Sequence, residues 1–129
     1  MTTKNNFIVF LAVSVLVSLP IPLQAHHSTA VYEKEKQVTL RGVVKEFQYT
    51  NPHTWVQLLV KDEDNNTVEW GIEGGSPNFL KRRGWTAKSL KSGDEVILLI
   101  RPLRDGQPGG TLISVTFTDG RKLEDIPPP

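Results

Sequence analysis

Five strand-like segments, interrupted once by a helical insert, constrain the fold of this chain more than any other feature. Residues 37–49 are rich in β-branched and aromatic residues, and Gly42 within them predicts a bulge or a sharp bend. The other four segments are alternating or continuous apolar runs separated by polar turns, namely residues 53–62, 67–73, 94–103 and 111–120. We therefore expect five β-strands, with an antiparallel hairpin formed by the second and third.

Three of these segments alternate apolar with polar residues, which predicts one buried face in each. The expected inward residues are Val56, Leu58 and Val60 in the second segment, Val68, Trp70 and Ile72 in the third, and Ile113, Val115 and Phe117 in the fifth. Residues 94–103 are apolar on both faces, which is typical of a buried strand.

The insert between the third and fourth strands has the signals of two short helices. Ser76 is a candidate N-cap, Pro77 suits the first helical position, and Gly84 is a stop signal. A second helix is predicted from Thr86, with Gly93 after its end and Trp85 and Leu90 as a hydrophobic staple. Trp85 is accordingly interpreted as a core or staple residue.

This order of elements predicts an all-β protein with a short helical insert, folded as a small five-stranded OB-like barrel. In that fold the first strand curves through both halves of the barrel, and the helix lies between the third and fourth strands. The alternative fold is a small open β-sandwich.

The first 25 residues are typical of a signal peptide. Lys4 supplies the positive start, residues 7–19 form an apolar stretch of 13 residues, and Ala25 is a small residue suited to cleavage. A membrane anchor is the alternative, but a span needs roughly 20 apolar residues. We expect a signal peptide at 1–25, an N-terminal lead-in at 26–36, an OB-like barrel domain at 37–123, a flexible tail at 124–129, and a periplasmic or secreted location.

Cleavage after Ala25 would leave 104 of the 129 residues and remove Lys4, so that 14 basic residues balance 14 acidic ones. A net charge near zero argues against a nucleic-acid partner, because such proteins are usually basic. The mature chain would also lack cysteine and methionine, which argues against Cu(I) and iron–sulfur chemistry. No stable membrane span is expected after cleavage, and the sequence does not indicate an oligomeric state.

The chain resembles a known family through short motifs spread over nearly the whole mature sequence. These motifs are AHHS at 25–28, NPHTW at 51–55, GSPN at 75–78, RRGW at 82–85 and SGDEV at 92–96. They are similar to those of a widespread family of small secreted bacterial proteins of unknown function. The resemblance implies an exported, OB-like β domain and implies no activity.

Three histidines suggest a metal site. If His26 begins the mature chain, its α-amine and ring Nδ1 can chelate one metal ion, and His53 is the expected third nitrogen ligand. His27 offers a competing scheme, through the amine, a backbone amide and its own imidazole. This arrangement resembles the histidine brace of secreted copper proteins, with His26 alone carrying the resemblance, and implies Cu(II) or another divalent metal. The alternative is that His53 satisfies turn backbone and that His26 and His27 are a solvated chain start.

A metal-independent alternative is a module whose aromatic and basic rim binds a glycan, a small anion or a partner protein. The candidate ligand-binding residues are Tyr49, Trp55, Glu73, Arg82 and Arg83. Glu69 and Glu73 are four residues apart on one strand, about 13 Å, which is too far for a glycosidase pair. The sequence has no nucleophile elbow, phosphate loop or HExxH motif. We assign no catalytic residues and expect a small-ligand or protein-binding domain more readily than an enzyme.

Overall fold

The structure, a computed structural model, describes residues 31–125. The predicted signal peptide, His26 and His27 lie outside the described residues. Residues 31–125 form one short helix and six strands: β1 (Val38–Gln48), β2 (Trp55–Lys61), β3 (Thr67–Glu73), α1 (Pro77–Lys81), β4 (Glu95–Pro102), β5 (Gly109–Phe117) and β6 (Lys122–Glu124).

The strands close into a barrel. They are hydrogen-bonded in the order β3-β2-β1-β4-β5-β6, and a parallel pairing of β3 with β5 joins the two sides. Strands β1 to β5 therefore form a closed five-stranded mixed barrel, with β6 added along β5. The predicted class, all-β with a short helical insert and a small five-stranded barrel, is confirmed, and the open sandwich is wrong because β3 and β5 are paired.

Strand β1 serves both halves of the barrel, as expected, but its bulge is not at Gly42. Gly42 is regularly paired with Val60 on one side and Val96 on the other, and the register shift lies between Val44 and Glu46. Before this shift the inward side chains are at even-numbered positions, such as the buried Val44. After it they are at odd-numbered positions, such as Phe47, which packs against the core. The bulge thus turns the strand while keeping an apolar side chain inside on both arms.

The core contains the predicted inward residues of β2 and two of the three predicted for β3, since Val68 is only half-buried and lies outside the core cluster; β5 needs a further correction. Val56, Leu58 and Ile72 are buried, and Val60 and Trp70 pack against them. In β5 the register shifts opposite Leu99 and Ile100, so that Leu112 and Val115 are buried and Ile113 is only half-buried. The prediction of Ile113 as an inward residue was wrong because simple alternation cannot detect a bulge.

The first helix follows its predicted signals and the second does not form. The Ser76 side chain accepts a hydrogen bond from Phe79 N, Pro77 begins the helix, and Gly84 has a positive φ of 86°. Residues 86–93 form turns, because Ser89 N donates to Thr86 O, three residues back, and Lys91 N donates to the Asp94 side chain instead of a carbonyl four residues back. Trp85 and Leu90 are nevertheless buried in the core.

The end of the described chain differs from the flexible tail expected from residue 124. Glu124 belongs to β6, which pairs with β5 through Ser114. Asp125 is only 3 % exposed, and its backbone N–H donates to Ile113 O. The expected tail therefore does not begin before residue 126, and residues 126–129 lie outside the described range.

Candidate functional site

His53 and Glu73 meet at one end of the barrel. His53 lies two residues before β2, Glu73 ends β3, and the antiparallel register pairs Trp55 with Glu73. His53 Nδ1 lies 3.2 Å from Glu73 Oε1 and 3.3 Å from the carbonyl oxygen of Gly74. A carbonyl can only accept, so the contact with Gly74 requires a proton on Nδ1. The His53 side chain is 32 % exposed, which leaves the ring accessible from solvent.

The backbone beneath His53 is held by Thr54, which is buried. Both Thr54 N and Thr54 Oγ1 donate to Gly75 O, at 3.1 and 3.0 Å. In return, Gly74 N donates to Thr54 O at 2.8 Å. Residues 73–75, called here the 73–75 segment, are therefore bound to Thr54, the residue that follows His53.

Tyr32 approaches the same place from the N-terminal side. Its hydroxyl donates a hydrogen bond to Glu73 Oε2, while Glu73 Oε1 faces His53. Burial is the largest cause that raises the pKa of Tyr32 above its ordinary value, followed by the hydrogen bond to Glu73 and its charge. The phenol therefore stays protonated at neutral pH and acts as a donor.

Tyr32 belongs to a segment that is tied along the end of β4. This N-terminal strap, residues 31–34, pairs Tyr32 with Leu103, and Glu33 N donates to Pro102 O. Arg104 N donates to Val31 O, and Arg104 Nε donates to Tyr32 O at 3.1 Å. The strap therefore holds Val31, the first described residue, beside the end of β4.

Asp125 approaches the 73–75 segment from the C-terminal side. Its Oδ2 accepts the Gly75 N–H at 2.8 Å. Burial raises the pKa of Asp125 to about 6, opposed by the Gly75 hydrogen bond and by the charges of Arg83 and His53. A buried carboxyl group thus lies within electrostatic reach of His53.

Of the three expected metal ligands, only His53 lies within the described residues. His53 is placed as above, and His26 and His27 lie outside the described residues. Within residues 31–125, no three His, Cys, Asp or Glu side chains are grouped so that they alone could hold a metal ion.

The expected aromatic and basic rim is largely occupied by internal contacts. The Tyr49 hydroxyl donates to Pro77 O at 2.9 Å, and the Tyr49 ring packs against Phe47 at 5.7 Å. Arg83 stacks over the Phe79 ring at 4.5 Å, whereas Arg82 is exposed. Of the five rim candidates, Trp55 and Glu73 are brought together as cross-strand neighbours.

Two other carboxylates of the barrel, Glu69 and Glu46, lie apart from His53. On the barrel surface, Glu69 of β3 forms an ion pair with Lys45 of β1, with 2.7 Å between Oε2 and Nζ. Glu46 accepts from the neighbouring Gln48 side chain at 3.2 Å. Glu73 is therefore the one carboxylate of the three that contacts a histidine in the described part of the chain.

Three residues that contact Glu73 or the 73–75 segment were not identified from the sequence, namely Tyr32, Thr54 and Asp125. Tyr32 was visible as an aromatic residue in an otherwise polar lead-in, and Thr54 as part of the NPHTW motif. Asp125 had no comparable signal, because it lies in a polar run before three prolines. Its role follows from burial, which a single sequence does not reveal.

No helix in residues 31–125 has the length and apolar character needed to span a membrane.

Comparison with curated proteins gave no match, and neither did comparison with solved structures. A family model, described as a family of unknown function (DUF6152), matches residues 13–113, which is more than half of the chain. The resemblance seen in the sequence is therefore confirmed at the level of the family: the chain belongs to DUF6152, a family of unknown function.

Proposed function

We propose that this protein is an exported binding domain that holds a divalent metal ion, such as Cu(II), between His53 and a mature N-terminus at His26. The observation that carries the proposal is the setting of His53, whose Nδ1–H donates to the Gly74 carbonyl and faces the Glu73 carboxylate. Metal-ligating histidines almost always donate their second ring N–H to a carbonyl or carboxylate in this way. The metal would therefore bind at Nε2.

The N-terminal strap supports the proposed partnership with His26. Tyr32 is tied to Glu73, the carboxylate that faces His53. Six residue steps separate His26 from Tyr32, which allows a reach of at most about 20 Å. The N-terminal amine and the imidazole of His26 can therefore reach the barrel end that carries His53.

The donor set suits the proposed ion. Two imidazole nitrogens and an amine nitrogen favour Cu(II), Ni(II) or Zn(II) over hard cations such as Mg²⁺ and Ca²⁺. Glu73 adds a negative charge close to the His53 ring, which favours a cation there. The amine must lose its proton to bind, so affinity should increase as the pH rises towards the amine pKa of about 8.

The proposal is tested with the secreted protein that begins at His26. Its intact mass fixes the cleavage site, and titration with Cu(II) followed by electron paramagnetic resonance counts the nitrogen ligands. The matched control is the same domain with one methionine before His26, which blocks the amine. The proposal requires tight binding with nitrogen hyperfine structure in the first protein and loss of that signal in the second, and identical spectra would refute the N-terminal chelate.

Two histidine variants then assign the remaining ligand. His53→Ala should remove one nitrogen from the spectrum and weaken binding, whereas His27→Ala should leave both unchanged. The opposite pattern, with an effect of His27→Ala alone, would show that the metal is held by the amine, a backbone amide and His27, and that the setting of His53 is purely structural.

A further inference from the structure

Asp125 has no part in the proposed metal chelate, yet it is the most buried carboxyl group near His53. It is 3 % exposed, follows directly on β6, and is fixed through its own backbone N–H to Ile113 O. Its side chain reaches across to Gly75 and accepts the N–H of that residue at 2.8 Å. Burial of a carboxyl group is unfavourable unless it is compensated by such bonds, so its position calls for a reason.

The hydrogen bonds around Gly75 connect Asp125 to His53. The amide of Gly75 is held by Asp125, and its carbonyl is held by the backbone and hydroxyl of Thr54. The carbonyl of Gly74, one residue earlier, accepts the hydrogen bond from His53 Nδ1. The peptide group between Gly74 and Gly75 thus contributes its N–H to Asp125 and its oxygen to His53.

Close packing leaves this peptide group little freedom to move. A Cβ atom on Gly74 would lie 2.4 Å from Thr54 Oγ1 and 3.2 Å from Asp125 Oδ2. A Cβ atom on Gly75 would lie 2.8 Å from Asp125 Oδ1. Both glycines therefore allow the carboxyl group and the threonine to close on the backbone from two sides.

We infer that Asp125 is a positioning residue for His53: by holding the N–H of the Gly74–Gly75 peptide group, it orients the carbonyl that fixes the His53 ring. The shared peptide group makes the link direct, because rotation of that group would move both contacts together. The importance of this link for metal affinity rests on the proposed function, whereas the effect on the His53 ring does not depend on it.

The test compares wild type with Asp125→Ala, which removes the acceptor, and with Asp125→Asn, which keeps one acceptor oxygen. Asp119→Asn is the matched control, because Asp119 is exposed and pairs with Arg121. Imidazole ¹H–¹⁵N correlation spectra of the metal-free protein report which His53 nitrogen carries the proton. We expect the Nδ1–H form to predominate in wild type, to lose that predominance in Asp125→Ala, and to be largely restored in Asp125→Asn. If Asp125→Ala does not fold, Asp125→Ser replaces it in the comparison. The serine side chain is shorter than that of aspartate, so it cannot accept the Gly75 N–H in the same way.

A second measurement separates this inference from the proposed function. If the metal site is as proposed, Asp125→Ala should weaken Cu(II) binding by about 10-fold or more, the usual effect of losing a residue that orients a ligand. If wild type binds no Cu(II), the proposed function fails, and the metal-free spectra still decide the role of Asp125. A folded Asp125→Ala or Asp125→Ser protein with an unchanged His53 spectrum would overturn the inference, as would an equal change in Asp119→Asn.

Discussion

Tyr32 and Glu73 are 41 positions apart in the sequence, yet the phenol of one donates a hydrogen bond to the carboxylate of the other. The second oxygen of the same carboxylate faces His53 Nδ1 at 3.2 Å. One glutamate therefore connects the N-terminal strap to the histidine two residues before β2. Breaking this connection should affect the entry of the N-terminus and the setting of His53 together.

The first prediction concerns Tyr32→Phe, which keeps the ring and removes the hydroxyl. We expect a loss of about 1 kcal/mol in the free energy of unfolding, the usual effect of one hydrogen bond. Amide hydrogen exchange should accelerate at Glu33 and Arg104, whose N–H groups tie the strap to the chain around β4. If the proposed metal site is formed, copper affinity should fall as well, because the proposed N-terminal ligand would be less well placed.

Tyr49→Phe is the control for this prediction. It also removes a hydroxyl, but one that donates to Pro77 O beside the helix. Tyr49→Phe should be about as stable as Tyr32→Phe, but the amide exchange rate at Glu33 should stay at the wild-type value. If Tyr49→Phe weakens copper binding as much as Tyr32→Phe, the strap has no special part in the site.

The second prediction is a pH dependence of stability that comes from Asp125. Burial raises the pKa of this carboxyl group from 3.8 to about 6. The folded protein therefore holds the proton more tightly than the unfolded chain, so this contribution to stability is complete below about pH 4 and is lost as the pH rises through 6. Between pH 5 and pH 7.5 the loss should be about 1 kcal/mol.

Urea denaturation at a series of pH values measures this effect. Asp125→Asn cannot titrate, so its difference from wild type should vary over this pH range by the same amount. Asp119→Asn should keep the wild-type pH dependence. A parallel pair of curves for wild type and Asp125→Asn would contradict the raised pKa.

The third prediction concerns the space around the 73–75 segment. Gly75→Ala would place a Cβ atom 2.8 Å from both Asp125 Oδ1 and Phe79 Cδ1, so one or both must move. We expect a destabilisation of about 1–3 kcal/mol. Gly71→Ala is the control, because its Cβ atom would have an ordinary contact of 3.6 Å with Gln57. Equal denaturation midpoints for the two variants would count against tight packing at Gly75.

The fourth prediction concerns Trp85, which is buried and whose indole N–H donates to Glu124 O at 3.0 Å. Trp85→Phe removes this bond and part of the buried volume, so the free energy of unfolding should fall by about 2 kcal/mol. Trp70→Phe, at a half-buried position, should have a smaller effect. Thermal denaturation of the two variants side by side makes the comparison, and a reversed order would contradict the role of Trp85 as an anchor for β6.

The barrel could be predicted from the sequence because its strands are long enough to show their periodicity. Residues 67–73 were predicted as a strand and form β3 with the same bounds. The bulge in β1 was misplaced at Gly42, although a signal was present: the inward positions change from even, at Val44, to odd, at Phe47. The prediction of a second helix was wrong because the Asp94 side chain accepts the Lys91 N–H that a helix would need, which outweighed the local capping signals.

The candidate site could be predicted only in part. His53 and Glu73 stood out by residue type, but they were assigned to two different functions, since the predicted hairpin did not fix which residue of the second strand pairs with Glu73. Tyr32 and Asp125 are joined to the site by contacts that cross the barrel. Such contacts depend on the closure of β3 against β5, which local sequence patterns do not encode.

The position of β6 sets a lower limit on the length of chain that can be produced as a stable domain. The family match ends at residue 113, twelve residues before Asp125. A protein cut at that boundary would lack the last four residues of β5 and all of β6. It would also leave the Gly75 amide and the Trp85 indole without the acceptors that Asp125 and Glu124 provide. Expression boundaries chosen from family limits alone would therefore yield a chain with an unfinished barrel wall.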